Sequence, residues 1–291
     1  MNQNQIVVTK NSEEKENYSE EKLRASLHSC GATKNQIDII INQINPQIYN
    51  GITTNEIYKN AFSILKKFDR SFASRYSLKR ALFELGPTGY PFEHLIGALL
   101  KEKGYETKVS IVLQGNCVTH EIDVLAEKNG NVYAVECKFH SDSRATSNVM
   151  VPLYINSRFL DVQKHWNGNS NNRTHLKQGW LVTNTRFTKD AVDYGMCIGL
   201  TLLSWDYPKD KGIKTNIDSY GLYPVTALTT LTKKEKQQLI TTDIILIKEL
   251  YNNIHVLQNL DISTNRIQQT KKEIGKLLHY DNFTNETREV N

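Results

Sequence analysis

The run Glu121-Ile-Asp-Val-Leu-Ala-Glu-Lys-Asn-Gly-Asn-Val-Tyr-Ala-Val-Glu-Cys-Lys138 carries the residues best spaced for chemistry. Asn129-Gly130 suits the two positive-φ positions of a type I′ turn, and strand-forming residues flank it on both sides. A two-residue loop there fixes the register. Lys128 faces Asn131, Asp123 faces Glu136, and Glu121 faces Lys138. Opposed residues, and residues two apart, share a face of the sheet. Glu121, Asp123, Glu136 and Lys138 therefore fall on one face, with two carboxylates as direct neighbours. Carboxylates that close repel each other, and a divalent cation relieves the repulsion. Their hard oxygens suit Mg2+ or Mn2+. With Lys138 beside an anion held there, the set suits phosphodiester hydrolysis by a metal-activated water. The competing reading is a solvated hairpin face with cross-strand ion pairs. Against it, Val-Tyr-Ala-Val-Glu-Cys-Lys is apolar enough for the inside of a sheet, where an acid and a lysine are costly.

Asp123 followed by Glu136-Cys137-Lys138 resembles the D…(D/E)-x-K core of the restriction-endonuclease-like superfamily, in particular its Mrr-like branch. The resemblance implies an α/β/α sandwich with a mixed sheet, and a DNA-cleaving activity using Mg2+ or Mn2+. In that family a glutamate on the preceding helix often completes the metal site, and Glu93 matches that position. The metal set is then Asp123, Glu136 and Glu93, with Lys138 orienting water or stabilising the pentacoordinate phosphate. The helix of Glu93 is readable locally: Pro91 suits its first turn, Phe92, Leu95, Ile96, Leu99 and Leu100 form its stripe, and Gly104 suits its end. An acid early in a helix also complements the helix dipole, which is the plainer account of Glu93. Downstream, Gly179 to Asn184, Phe187-Thr188-x-x-Ala191 and Gly199 to Leu203 resemble the later strand–helix–strand of the family. The likeness runs from about Tyr90 to Trp205.

The 291 residues allow two or three domains, expected at 1–86, 87–222 and 223–291. No apolar run approaches the roughly eighteen residues of a membrane span, and the N-terminus lacks a secretory pattern, so a cytoplasmic protein is expected. Cys30, Cys117, Cys137 and Cys197 lack C-x-x-C spacing, which argues against a zinc ribbon and for reduced, buried thiols. A net charge of +5 permits nucleic-acid binding without requiring it.

The first 86 residues are helical in pattern after a short strand from Gln5 to Lys10. Ser19 is a plausible N-cap, with Leu23, Leu27 and Cys30 on one face and Gly31 ending the helix. Ile37, Ile40, Ile41, Ile44 and Ile48 mark a second helix, ended or bent by Pro46. Thr53 to Glu56 has capping-box spacing and opens a third, with Ile57, Ala61, Ile64, Leu65 and Phe68 inward. A fourth runs from about Ser71 to Phe83. Val7-Val8-Thr9-Lys10, Ser19-x-x-Lys22-Leu23, Tyr49 to Ile57 and Arg75-Tyr76 resemble the ATP-cone, the nucleotide-sensing module of ribonucleotide reductases. By that resemblance Lys10 and Lys22 contact a triphosphate, with Glu16 and Thr54 near the nucleoside, and ATP or dATP is the expected effector. The family's Lys-Arg-x-Gly is replaced here by Lys10-Asn11-Ser12-Glu13, so the arginine is missing.

After Tyr223 helices return, one opening at Thr232, a second near Asp243 with Ile244, Ile247, Leu250 and Tyr251, and a last ending near His279. They faintly resemble helix–hairpin–helix units but lack Gly-x-Gly hairpins, so they serve either as a structural cap or as a DNA contact. The polar tail after Asn282 is expected to fray. His120 faces away from Asp123 and reads as structural, and His140 as solvated. Arg158 could steady a phosphate or pair with Asp161. Trp166 to Thr174 reads as a mobile loop. The expected protein is a metal-dependent DNA endonuclease with a nucleotide-sensing module, and double-strand cutting would favour a homodimer. The alternative is a nucleotide-responsive DNA-binding regulator that no longer cuts.

Overall fold

Asn129 and Gly130 both take positive φ, +53° and +74°, as the type I′ turn requires. In the computed structural model, which describes residues 6–10 and 13–286 and side chains as far as residue 278, this turn joins the two strands at the heart of a five-stranded sheet. Gln5, Asn11 and Ser12, and the end of the polar tail lie outside the described residues.

In chain order the N-terminal part has β1 (Val7–Thr9), β2 (Lys15–Asn17), α1 (Glu20–His28), α2 (Lys34–Ile44), α3 (Thr54–Phe68), α4 (Arg70–Tyr76) and α5 (Leu78–Phe83). The middle has α6 (Tyr90–Glu102), β3 (Glu106–Gln114), β4 (Thr119–Lys128), β5 (Asn131–Lys138), β6 (Thr146–Ser147), α7 (Met150–Gly168), β7 (His175–Thr183), β8 (Arg186–Phe187), α8 (Lys189–Cys197), β9 (Thr201–Leu203) and α9 (Ile213–Tyr220). The C-terminal part has α10 (Lys233–Thr241), α11 (Ile247–Asn252) and α12 (Thr264–Glu286).

The sheet order is β3-β4-β5-β7-β9, antiparallel across β3, β4 and β5 and parallel across β5, β7 and β9. Strand β5 is therefore central. The β4–β5 ladder has Lys128 opposite Asn131 and continues to Val124 opposite Val135, one step short of Asp123 and Glu136. Beyond that step β5 follows β7, so the expected pairing of Glu121 with Lys138 is not part of the ladder. Helix α6 packs Phe92, Leu95, Ile96, Leu99 and Leu100 with Val124, Ala126 and Val135. Helix α7 covers Ile122, Val132 and Ala134 with Phe159 and Val162. Adjacent residues of β5 thus feed opposite cores, and the arrangement is an α/β/α sandwich. Gly97 permits the close seat of α6, since a Cβ there would meet Val109 Cγ2 at 2.9 Å.

Helices α1 to α4 form a bundle over their own apolar core, from Val8 and Leu23 to Leu65 and Ala73. Ser19 caps α1 by accepting from Lys22 N at 3.1 Å, and Thr53 and Glu56 close a capping box on α3. Phe68 departs from its expected inward place and is exposed, because α3 ends there and Asp69 turns the chain into α4. The expected fourth helix is broken at Ser77, whose hydroxyl bonds back to Ser74 O.

Leu78, Leu82 and Leu85 leave the bundle and enter the core of the sheet domain, which also takes in Tyr223, Leu239, Ile245, Leu250, Leu257, Ile274 and Leu277. The C-terminal helices and the α6 face of the sheet therefore share one core. Helix α11 begins at Ile247, later than the sequence suggests, because the preceding residues are extended, with a bridge between Leu246 and Pro224. Helix α12 continues past His279 to Glu286. The loop read as mobile is shorter and is tied: α7 runs to Gly168, Trp166 Nε1 donates to Thr174 O, and Asn167 bonds both N and O of Leu176. Cys30 is buried, but Cys117 and Cys197 are exposed, against expectation. Among the described residues no helix is long and apolar enough to cross a membrane.

Candidate active site

The end of β5 leaves the turn-fixed ladder just where Asp123 and Glu136 stand. Asp123 Oδ2 accepts from Cys137 N at 2.6 Å, which locks its carboxylate beside the Glu136-Cys137-Lys138 segment. By strand alternation Glu136 points to the side of Val132 and Ala134, the side of α7, and Arg158 of α7 meets it there. Arg158 Nη1 donates to Glu136 Oε2 at 2.8 Å, Nη2 donates to Glu121 O, and the guanidinium lies 5.5 Å from the Tyr154 ring centroid. Glu93, in the first turn of α6, accepts from Ser110 Oγ at 3.1 Å. Ser110 itself takes a positive φ and interrupts the β3–β4 ladder opposite Asp123. Lys138 is exposed at the strand end, and its carbonyl accepts from Thr183 Oγ1 at 2.8 Å. The structure so brings Asp123, Glu136, Glu93 and Lys138 to one end of the sheet.

The three acids act on each other. Burial, then the charge of Asp123, pushes Glu136 up to about 8, against the pull of Arg158. Burial likewise raises Asp123, opposed by the Cys137 N–H and Arg158. Glu93 is raised by burial and by Asp123. Glu136 is 8% exposed, and its Oε1 is buried with no hydrogen-bond partner among the described residues. An orphaned carboxylate oxygen among mutually repelling acids is what a hard cation would satisfy. Asp123 and Glu136 would hold it, with Glu93 in support. Among the described residues no group of three His, Cys, Asp or Glu side chains closes around a common point. Two carboxylates with several waters is, however, an ordinary way of holding Mg2+. The donor set fits the ion.

Arg158 is the residue beside the acids whose place the sequence left open. It does not pair with Asp161. That acid is taken by His120 Nε2 at 2.8 Å and by the N–H groups of Cys117 and Val118, and the histidine contact holds it at about 2. His140 is half-buried rather than solvated. Its N–H and carbonyl both bond Asn184, its ring contacts Ser147 Oγ at 3.1 Å, and burial lowers its pKa.

The second predicted constellation lies on the N-terminal bundle. Glu16 Oε2 accepts from Lys22 at 3.1 Å and from Lys10 at 3.2 Å, and Lys10 also reaches Glu14 at 3.4 Å. The two lysines, in turn, hold Glu16 below the usual carboxylate range. Thr54 is the first residue of α3, reached through the bridge between Thr9 and Thr53. Lys10, Lys22 and Glu16 thus meet, with the lysine charge already answered by an acid.

Residues 87–206 match the Restriction endonuclease family, and residues 223–278 match the C-terminal domain of the AF1548-like family. An uncharacterized protein of Archaeoglobus fulgidus is 35% identical over 181 residues, which cover 62% of this chain and 98% of that protein. The crystal structure of AF1548, a protein of unknown function, superposes with a TM-score of 0.54 at 33% identity, over 66% of this chain and 98% of its own. The MspJI restriction endonuclease in complex with a 27-mer oligonucleotide gives a TM-score of only 0.28 at 12% identity, over 45% of this chain and 29% of that one. The family matches concern residues 87–278, so the ATP-cone resemblance rests on the residues of the N-terminal segment alone. With nearly the whole length of its archaeal relative spanned at this identity, the chain belongs to the AF1548-like family, its sheet being a restriction-endonuclease-like domain.

Proposed function

We propose that this protein is a metal-dependent DNA endonuclease whose N-terminal ATP-cone-like bundle senses ATP or dATP. The observation that carries the first part is the buried Glu136 Oε1, unpartnered among the described residues, on a carboxyl raised by burial and then by the charges of Asp123 and Glu93. When bound, Mg2+ or Mn2+ would supply a lowered pKa for water and a counter-charge for the phosphate. Asp123 and Glu136 would bind it and Glu93 would assist. Lys138, exposed at the strand end, would donate to a phosphate oxygen or orient the attacking water. Arg158 donates to Glu136 Oε2 in the metal-free site and would be free to meet an incoming phosphate once a metal takes that carboxylate. The second part rests on the meeting of Lys10 and Lys22 over Glu16.

The test is supercoiled plasmid incubated with the full chain and Mg2+ or Mn2+, with EDTA as the control. Nicking or linearisation is expected with metal alone. Asp123→Ala should abolish it while circular dichroism stays unchanged. Cutting by Asp123→Ala at the wild-type rate would show the site to be misplaced. Metal-independent DNA binding with no cutting under any condition would favour the regulator instead.

A further inference from the structure

Between the N-terminal bundle and the sheet domain lies a cleft of about 1260 Å3. One wall carries Tyr58 of the bundle with Lys79 and Arg80 of α5, and the other carries Arg144, Arg186 and Trp205. Seven lysines and arginines line it, Lys10 of the nucleotide constellation among them, against two acids, Glu14 and Asp142. Cations lie over aromatic faces: Lys79 Nζ is 5.7 Å from the Trp205 ring centroid, and the Arg80 guanidinium 6.0 Å from that of Tyr58. Most of the cations are in exposed ion pairs, such as Arg144–Asp142 at 3.0 Å and Arg186–Asp206 at 3.0 Å, which exchange partners at little cost. Lys79 has no carboxylate within ion-pairing distance among the described residues, and burial and Arg186 lower its pKa.

The cleft lies close along the chain to the acid cluster, although none of the acids lines it. Its floor begins at Ser141, three residues past Lys138, a span of at most about 10 Å of chain. We propose that this cleft seats a single nucleic-acid strand running to the acid cluster, its phosphates on Lys79, Arg80, Arg144 and Arg186 and a base against Trp205, the Tyr58 ring being already stacked on Tyr76. Cations interleaved with aromatic rings are how unpaired strands are held without regard to sequence. A duplex keeps its base faces stacked inside and would leave the Trp205 ring unused. A mononucleotide would leave much of the space empty, since small-molecule pockets span roughly 300–1,000 Å3. The inference deepens the nuclease reading and rests on it for the identity of the ligand.

Binding is measured on the full chain in EDTA, where no cutting occurs, by anisotropy of a fluorescein-labelled oligothymidylate across a salt series. The Arg144→Ser/Arg186→Ser double variant should weaken binding at least tenfold. It should also lower the slope of log K against log salt by about 1.4, from roughly 0.7 per lost contact. Lys79→Gln should weaken binding several-fold. Circular dichroism and the melting temperature establish that each variant is folded. Unchanged affinity and slope in folded variants would overturn the inference. So would loss of metal-free ATP binding in these variants with oligonucleotide binding intact, because the cleft would then be a nucleotide site. Strand binding through these residues, with no cutting in any divalent metal, would instead sink the nuclease reading and leave the cleft standing.

Discussion

Glu136→Gln offers a test of the acid cluster that does not depend on cleavage. Glu136 titrates near 8 in the fold against 4.5 when unperturbed, chiefly through burial and the charge of Asp123. Because its folded pKa is raised, the native state holds a proton that the unfolded chain has released between about pH 5 and 8. Stability is therefore greatest on the acid side and falls as pH rises through that window. Integrating the single-group linkage from pH 5.5 to 7.5 gives a loss of roughly 2 to 3 kcal/mol for the metal-free protein. In a chain of this size that is a fall of about 5 °C in melting temperature. Glutamine cannot ionise, yet it keeps an oxygen for Arg158, so the variant should lose this part of the pH dependence, match wild type only below about pH 4.5, and exceed it by a margin that widens as pH rises to 7.5. The assay is thermal unfolding in EDTA at the two pH values, repeated with Mn2+. Because metal binding requires the deprotonated carboxylate, stabilisation by Mn2+ should be larger at pH 7.5 than at 5.5, and weak or absent in the variant. An equal fall in the two proteins would show that Glu136 is not the strained acid.

Two other outcomes are expected. Arg158→Ala should destabilise the metal-free protein by about 2 kcal/mol, by leaving the buried Glu136 Oε2 without its donor, and should tighten Mn2+ binding several-fold while slowing cutting at least tenfold. Isothermal titration and plasmid assays that both match wild type would remove Arg158 from the site. ATP or dATP at about 100 times Kd should stabilise the full chain by roughly 2.7 kcal/mol, and Lys22→Ala should erase the shift. The full chain is the right sample, because Leu78, Leu82 and Leu85 of the N-terminal segment are buried in the sheet domain. No thermal shift at millimolar nucleotide would leave the bundle without a ligand.

What was legible in the sequence was local. Asn129-Gly130 fixes a register, alternation fixes faces, and together they place Asp123 beside Glu136 without tertiary information. Glu93 was readable because Pro91 and the apolar stripe define its helix and so its turn. Arg158 was not. It lies 22 residues from Glu136, on a helix whose seat over the sheet is set by Ile155, Phe159 and Val162, and only its place beside that stripe hinted that it would point inward. His120 and Asp161, 41 residues apart, meet for the same non-local reason. Periodicity also failed at element ends, as at Phe68, where the stripe continues in sequence after the helix has turned away. The basic cleft has no contiguous signature, since apart from the adjacent Lys79 and Arg80 its cations come from separate segments of two parts of the chain.

The C-terminal helices, expected to act as a cap or a DNA contact, bear directly on the position of Glu93. The next residue, His94, meets Glu249 Oε1 at 2.6 Å, while the other oxygen of Glu249 accepts from Ile245 N and Leu246 N at 2.9 Å. One carboxylate thereby caps α11 and fixes the first turn of α6. At the far end of α6, Glu102 pairs with Lys248 at 2.8 Å. On the opposite side Glu93 itself is held by Ser110 of the sheet. Helix α6 is pinned between sheet and C-terminal segment by consecutive side chains, so it cannot rotate Glu93 away from Asp123 without breaking both sets of bonds. The shared apolar core makes the same point in packing terms, because Leu95 and Leu99 of α6 lie in one cluster with Ile245, Leu250 and Leu257. That physical dependence gives a reason for the AF1548-like C-terminal segment to accompany the endonuclease-like sheet: it holds one of the three acids in place.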